Sequence, residues 1–216
     1  MRASCIITCY NLAEYLPQAI ESALSQFDEV IVVNDGSTDN TDAIAWAYPE
    51  ARLLSISNRG WAGARNAGLV ASSGEVLCFL DADDYLRGGY LAATWPKMIA
   101  GVGIVAVGLA TDSTQYPQYW PAPTSDDLAH LPLRNCIWSA SLVRREAVVE
   151  CGGFNPDAGN VADWDLWLDI WKRGWAVKSV DKPLYFWRDR PGALHHGIDN
   201  QAAYAVFRRH HPELYP

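Results

Sequence analysis

The chain has 216 residues, half of them hydrophobic and 19% charged, with 25 Asp and Glu against 17 Lys and Arg for a formal net charge of −8. That length suits one well-buried domain, or at most two small ones sharing a core, and the composition excludes disorder and low complexity. The negative balance, with no Lys/Arg run, excludes sequence-independent nucleic-acid binding, and no stretch reaches the roughly 18 apolar residues of a bilayer-spanning helix.

In chain order, residues 4–8 read as a strand and 13–26 as a helix, with Leu16, Ala19, Ile20, Ala23 and Leu24 on one face. Residues 29–33 form a second predicted strand, followed by a polar turn and a helix over 41–48. A third strand covers 52–56, a helix 63–71 and a fourth strand 76–80. This alternation predicts a parallel α/β core. Residues 99–110 fit a buried strand with its flanks. The stretch 111–133, rich in Pro, Ser and Asp, reads as a long loop over a cleft, and 164–172 as a helix. Trp164, Trp167, Trp171 and Trp175 recur at helical spacing, which predicts one buried or half-buried face.

Cys5, Cys9, Cys78, Cys136 and Cys151 show no Cys-x-x-Cys spacing, and their odd count points to reduced thiols rather than a disulfide framework. The N-terminus lacks the charged-then-apolar pattern of a secretory signal. The expected setting is cytoplasmic, with contact at the inner face of a membrane left open.

The strongest chemical signal is Phe79-Leu80-Asp81-Ala82-Asp83-Asp84, an apolar run ending in three carboxylates. In an extended segment Asp81 and Asp83 point to the same side and can converge on one ion, with Asp84 on the other side. Hard oxygen ligands suit magnesium or manganese better than zinc. An acidic turn that merely closes a strand has the same sequence. In parallel α/β sheets, however, ligands bind beyond the carboxyl ends of the strands. The polar segments there are Thr8-Cys9-Tyr10-Asn11, Asn34-Asp35-Gly36-Ser37-Thr38-Asp39, Ser57-Asn58-Arg59-Gly60 and Asp81-Ala82-Asp83-Asp84, and all four are expected at one rim.

These segments, with Ala64-Arg65-Asn66-Ala67-Gly68, Gly152-Gly153-Phe154 and Asp163-Trp164-Asp165-Leu166-Trp167-Leu168, resemble in order and spacing the family 2 glycosyltransferases of the GT-A fold. The resemblance runs from about Ser4 to about Leu194. It implies a Rossmann-like, mostly parallel sheet flanked by helices. It also implies a single domain over 1–216, with a nucleotide-sugar half (1–110) and an acceptor half (111–216). The implied activity is inverting, metal-dependent transfer from a nucleotide diphosphate sugar, with a uridine diphosphate sugar foremost. The acceptor would be a carbohydrate or lipid-linked hydroxyl in cell-surface polysaccharide synthesis.

Position by position, the resemblance makes Asp35 the acceptor of a uracil N–H, with Thr8, Tyr10, Asn11 and Asn58 also donor-binding. Asp39 is read as a structural residue at a helix N-terminus. Arg65 either meets phosphate or base oxygens or pairs with a neighbouring aspartate. Asp81 falls near the ribose and on the divalent cation, manganese or magnesium, and Asp83 is the stronger ligand. Asp163 matches the catalytic base; its other reading is a cap on the following helix.

Two departures stand out. Ala162 replaces the usual glutamate before Asp163, and Arg190 stands where relatives place a histidine before Pro-Gly. An arginine clasps phosphate but does not ligate metal; His195 or His196 is the alternative ligand. Trp138 and Trp164 are candidate acceptor contacts by sugar stacking, against core packing as the other reading. The departures keep a second function open, a weak or inactive sugar-nucleotide-binding protein acting as an assembly partner. A nicotinamide-dependent dehydrogenase is set aside because residues 8–14 contain no glycine for a phosphate loop.

Overall fold

The first strand, β1 (Ala3–Cys9), is buried at every position. Its side chains alternate between two apolar clusters. Cys5, Ile7 and Cys9 join one with Val30, Val32, Cys78 and Leu80, and Ile6 joins the other with Ile31, Val33, Leu77 and Phe79. A strand covered on both faces needs helices above and below, which is the arrangement of parallel sheets. The structure, a computed structural model, describes residues 2–190 and 200–215.

The first half is the expected β/α alternation: β1, α1 (Leu16–Leu24), β2 (Glu29–Asn34), α2 (Thr41–Trp46), β3 (Ala51–Ser55), α3 (Gly60–Ala71) and β4 (Val76–Asp81). β1 pairs in parallel with both β2 and β4, and β2 with β3. The register sets Thr8 opposite Asp81 and Cys9 opposite Asn34. The strands therefore end level, and the segments that follow them share one edge.

α1 buries Leu16, Ala19, Ile20 and Ala23 against one face. It starts at Leu16 rather than 13 because the chain first turns, with Tyr15 N bonded to Leu12 O at 3.0 Å. α3 packs on the other face and starts earlier than expected, at Gly60. Its Gly68 lies so close to β1 that a Cβ there would sit 2.2 Å from Ile6 Cγ2.

The second half extends the sheet with mixed pairing. β5 (Tyr85–Leu86), α4 (Tyr90–Thr94), β6 (Val102–Thr111), β7 (Tyr119–Trp120), α5 (Ser125–Ala129), β8 (Leu142–Arg144), α6 (Arg145–Glu150), α7 (Ala162–Lys172), β9 (Ala176–Trp187) and α8 (Asn200–His210) follow in order. The sheet runs β3-β2-β1-β4-β8-β6-β9-β5, with β7 on β6. β8 is antiparallel to β4 and to β6, whereas β9 is parallel to β6.

The stretch 111–133 is not a plain loop. It carries β7 and α5, and α5 is opened by a reciprocal capping box between Thr124 and Asp127. α7 begins two residues before the expected helix and buries Trp164 and Trp167, while Trp171 is half-buried. Trp175 lies beyond the helix end. All five cysteines are free thiols. Among the described residues, no helix is long and apolar enough to cross a membrane.

Candidate active site

The level ends of β1, β2, β3 and β4 open onto a cleft of about 1030 Å³. All four predicted segments contribute to its lining, through Thr8, Tyr10 and Asn11, Asp35, Asn58, and Asp81, Asp83 and Asp84. The loops are tied to one another. Asn11, at φ 53°, accepts from Thr38 N at 2.7 Å through Oδ1, and its own N–H donates to Ser37 Oγ at 2.9 Å. Asp39 accepts from Ala13 N at 2.9 Å and Thr41 N at 3.1 Å, locking the first loop to the start of α2.

Asp35 is buried, and its Oδ1 accepts from Arg59 N at 2.7 Å, which holds the start of α3. Burial raises its carboxyl above the ordinary value despite that bond. Gly36, at φ +76°, leaves no room for a Cβ, which would lie 2.8 Å from Asn58 N. Tyr10 stands half out of the cleft mouth, 49% exposed.

The acidic segment is not extended beyond β4. The chain turns at once, with Asp84 N bonded to Asp81 O at 3.0 Å, so simple strand alternation does not set where the carboxylates point. Asp81 Oδ1 accepts from Arg65 Nη2 at 2.7 Å, and from Trp61 Nε1 and Thr8 Oγ1 each at 3.3 Å. Arg65 is wholly buried, with its guanidinium 3.8 Å over the Trp61 ring. Of the two readings of Arg65, the structure therefore contains the ion pair.

Asp83 Oδ2 accepts from Arg190 Nε at 2.6 Å, and its backbone oxygen accepts from Arg188 Nε at 3.0 Å. Burial first, then the neighbouring Asp81 charge, raise the Asp83 carboxyl, and Arg190 pulls the other way. Asp84 is also buried. It accepts from the Tyr185 hydroxyl and from Arg188 N at 2.9 Å, and burial raises its carboxyl well above the usual range.

Among the described residues the side-chain donors fall on Asp81 Oδ1 and Asp83 Oδ2, which leaves Asp81 Oδ2 and Asp83 Oδ1 to other ligands. Two such hard oxygens suit a magnesium or manganese ion that takes its remaining ligands from phosphates and water. No group of three or more His, Cys, Asp or Glu among the described residues could form an all-protein cage. The donor set fits an ion shared with a phosphorylated ligand. His195 and His196 lie outside the described residues.

Asp163, the second residue of α7, also lines the cleft, near enough to Arg65 and Asp81 to feel both charges. The residue before the helix is Val161, so Asp163 is not its N-cap. Its Oδ1 takes Trp164 N at 2.7 Å. Burial pushes its carboxyl up to about 6, against the lowering effect of the Arg65 charge. Ala162 is buried in the apolar face and offers no second carboxylate. Asp165, two residues on, is absent from the cleft. It turns to the end of α8, taking His210 Nδ1 at 3.1 Å and His211 Nε2 at 2.9 Å.

The remaining wall is aromatic. Trp120 sits 6.0 Å from Trp138 and 6.3 Å from Trp187 between ring centroids, and Tyr116 lies 5.8 Å from Trp187. The Trp138 Nε1 is buried and has no hydrogen-bond partner among the described residues. Trp164 borders the cleft, but its Nε1 donates to Leu131 O at 2.8 Å and its ring packs 4.7 Å from Phe207, so most of it serves the core. Tyr185 escapes sequence reasoning, and Trp187 and Arg188 enter it only as the start of the segment that carries Arg190. β9 carries no motif of its own and reaches the site only through the sheet order.

A mixed sheet built on a parallel β/α half, with an acidic turn at the carboxyl end of a central strand, defines the chain as a GT-A fold protein. The Glycosyl transferase family 2 profile matches residues 4–152, and the chain belongs to that family.

The chain is 28% identical over 213 residues to the uncharacterized glycosyltransferase EpsJ of Bacillus subtilis, covering 88% of this chain and 62% of that protein. It is 42% identical over 197 residues to chondroitin synthase of Pasteurella multocida, covering 84% of this chain but 20% of that protein. It thus spans less than two thirds of these relatives' length. Among solved structures, it resembles residues 1–349 of S. aureus TarS in complex with UDP-GlcNAc, with TM-score 0.77, 21% identity, and coverage of 97% of this chain and 65% of that one. It also resembles the mannosyltransferase PcManGT of Pyrobaculum calidifontis in complex with GDP-Man and Mn2+, with TM-score 0.70, 20% identity, and coverage of 98% and 63%.

Proposed function

We propose that this domain moves a glycosyl group, with inversion, from a nucleoside diphosphate sugar to a hydroxyl of a carbohydrate or lipid-linked acceptor, in the synthesis of a polysaccharide. Uridine is the first choice of base. The observation that carries the reading is the meeting of Asp35, Asp81, Asp83 and Asp163 around one cleft. The polysaccharide setting is supported by the chondroitin synthase and hyaluronan synthase of Pasteurella multocida among the relatives, and the uridine choice by TarS with UDP-GlcNAc.

In this reading residues 1–110 hold the donor and 111–216 the acceptor. Thr8, Tyr10 and Asn11 line the base with Asp35, whose carboxylate accepts the imide N–H. Asn58 and Arg65 support the same side, and Asp81 faces the ribose. Asp83, with Asp81, would hold a divalent cation, which when bound neutralises charge on the departing diphosphate. Asp163 accepts the proton of the acceptor hydroxyl as that oxygen bonds to the anomeric carbon and the bond to the diphosphate oxygen breaks. A carboxyl titrating at about 6 is ionised at neutral pH and is more basic than an ordinary aspartate. Trp138, whose indole N–H has no partner among the described residues, is the preferred acceptor contact, ahead of the core-bound Trp164.

A thermal-shift panel of nucleotides and sugar nucleotides, with and without manganese, tests the donor assignment, because a ligand of the native state raises Tm. Uridine diphosphate should give the largest rise, and only with metal. No rise with any nucleoside diphosphate would sink the reading. The second reading, a binding module without turnover, draws support from Ala162 and from the Arg190–Asp83 pair. Donor binding without transfer across a panel of acceptors would favour it.

A further inference from the structure

The acidic turn carries its own counter-charges, and they differ in burial. Arg65 is wholly buried, stacked on Trp61 and bonded to Asp81, so it has nowhere to go. Arg190 follows the end of β9 and meets Asp83 instead. Its side chain is 22% exposed against 13% for its partner Asp83.

The backbone that delivers Arg190 is anchored on both preceding residues. Arg188 N donates to Asp84 Oδ1 at 2.9 Å and Asp189 N to Asp112 Oδ1 at 3.1 Å, while Ser113 Oγ donates to Asp189 Oδ2 at 2.5 Å. The Arg188 and Arg190 guanidinium carbons flank Tyr15, at 5.1 and 5.9 Å from its ring centre. The pairing of Arg190 with Asp83 is thus held by a scaffold as well as by charge.

An incoming divalent cation meets Asp81 and Asp83 already balanced by Arg65 and Arg190. We infer that Arg190 is a displaceable internal counter-ion. It occupies Asp83 in the donor-free protein, opposes cation binding there, and gives Asp83 up when cation and diphosphate arrive together, the freed guanidinium then pairing with the diphosphate. A planar guanidinium pairs well with phosphate oxygens, whereas it cannot coordinate a metal. The protein would then take up its cation with the donor rather than before it. The inference rests on the proposed diphosphate site, but its first consequence concerns the cation alone.

The test measures manganese binding to the nucleotide-free chain by the loss of the free-ion electron paramagnetic resonance signal, for wild type, Arg190→Gln and Arg190→Lys. Circular dichroism establishes that each variant is folded. Removing the opposing charge should tighten manganese binding about tenfold in Arg190→Gln, whereas Arg190→Lys, which keeps a charge, should stay near wild type. With manganese saturating, uridine diphosphate should bind Arg190→Gln several-fold more weakly than wild type. Manganese affinity unchanged or weakened in Arg190→Gln overturns the inference, as does no measurable manganese in any of the three proteins. Tighter manganese with no binding of any nucleoside diphosphate would uphold Arg190 as the opposing charge, while removing both its role on the diphosphate and the donor reading.

Discussion

Arg65 Nη2 lies 2.7 Å from Asp81 Oδ1, with the guanidinium shut off from solvent and laid flat on Trp61. A buried charge that loses its partner is expensive, and the partner here stands at the rim of the candidate site. Arg65→Met keeps an apolar body over Trp61 but leaves the partly exposed Asp81 only the longer bonds from Trp61 Nε1 and Thr8 Oγ1, so the chain should lose about 1–2 kcal/mol in urea denaturation. Arg65→Lys should lose a similar amount, because an ammonium cannot reproduce the stacked fork. An unchanged urea midpoint in both would show that the pair contributes nothing to the fold.

Asp163 links activity and stability with opposite signs. Below its ordinary value of 3.8 the carboxyl is protonated in folded and unfolded chains alike, and it costs nothing. As pH rises toward about 6, the unfolded chain ionises first, so the folded state loses stability, about 3 kcal/mol once pH exceeds 6. Asp163→Asn should therefore melt at the same or a higher temperature at pH 7 while transfer falls at least a hundredfold. In the wild type, kcat should rise as pH passes through about 6. A flat profile between pH 5 and 7 would argue against Asp163 as the base.

The clamp between α7 and α8 has the usual carboxylate sign. Burial alone raises the Asp165 carboxyl, but hydrogen bonds from His211 and His210 outweigh it and hold the value below the usual 3.8. Its stabilising contribution is present above that value and fades as pH falls through the lower folded one. Asp165→Asn should cost about 3 kcal/mol at pH 7 and open α8 to hydrogen exchange, while the cleft keeps its shape. Exchange protection along α8 equal to wild type would refute the clamp.

Tyr185 positions the acidic turn from a distance, since its hydroxyl donates to Asp84 across 101 residues of sequence. Tyr185→Phe should lower stability by about 1–2 kcal/mol, because Asp84 keeps only the Arg188 N–H. The manganese-dependent part of any nucleotide-induced rise in Tm should shrink in the same variant. A rise identical to wild type would make Tyr185 a purely structural residue.

The β/α half of the fold was open to reading from the residues because its signals are local. Apolar runs such as Glu29–Asn34 and Val76–Asp81 are long enough to be strands, and the one-face spacing of Leu16, Ala19, Ile20 and Ala23 has a single helical reading. Level strand ends follow from the parallel pattern, so the meeting of Thr8, Asp35, Asn58 and Asp81 at one rim could be expected without coordinates. The second half carried weaker signals: β7 and α5 are short, and the mixed pairing of β8, β6 and β9 depends on contacts that no periodicity encodes.

Sequence alone established the order of the elements, the acidic segment and the list of candidate side chains, because each is written in neighbouring residues. Tertiary structure alone decided which charge faces which. Asp81 and Arg65 are 16 positions apart, Asp83 and Arg190 are 107 apart, and Asp163 was separated from its near twin Asp165 only by which side of α7 each occupies. Side-chain pairing across a fold depends on packing of distant elements, and that packing is settled by the burial of the whole sheet rather than by any single stretch of chain.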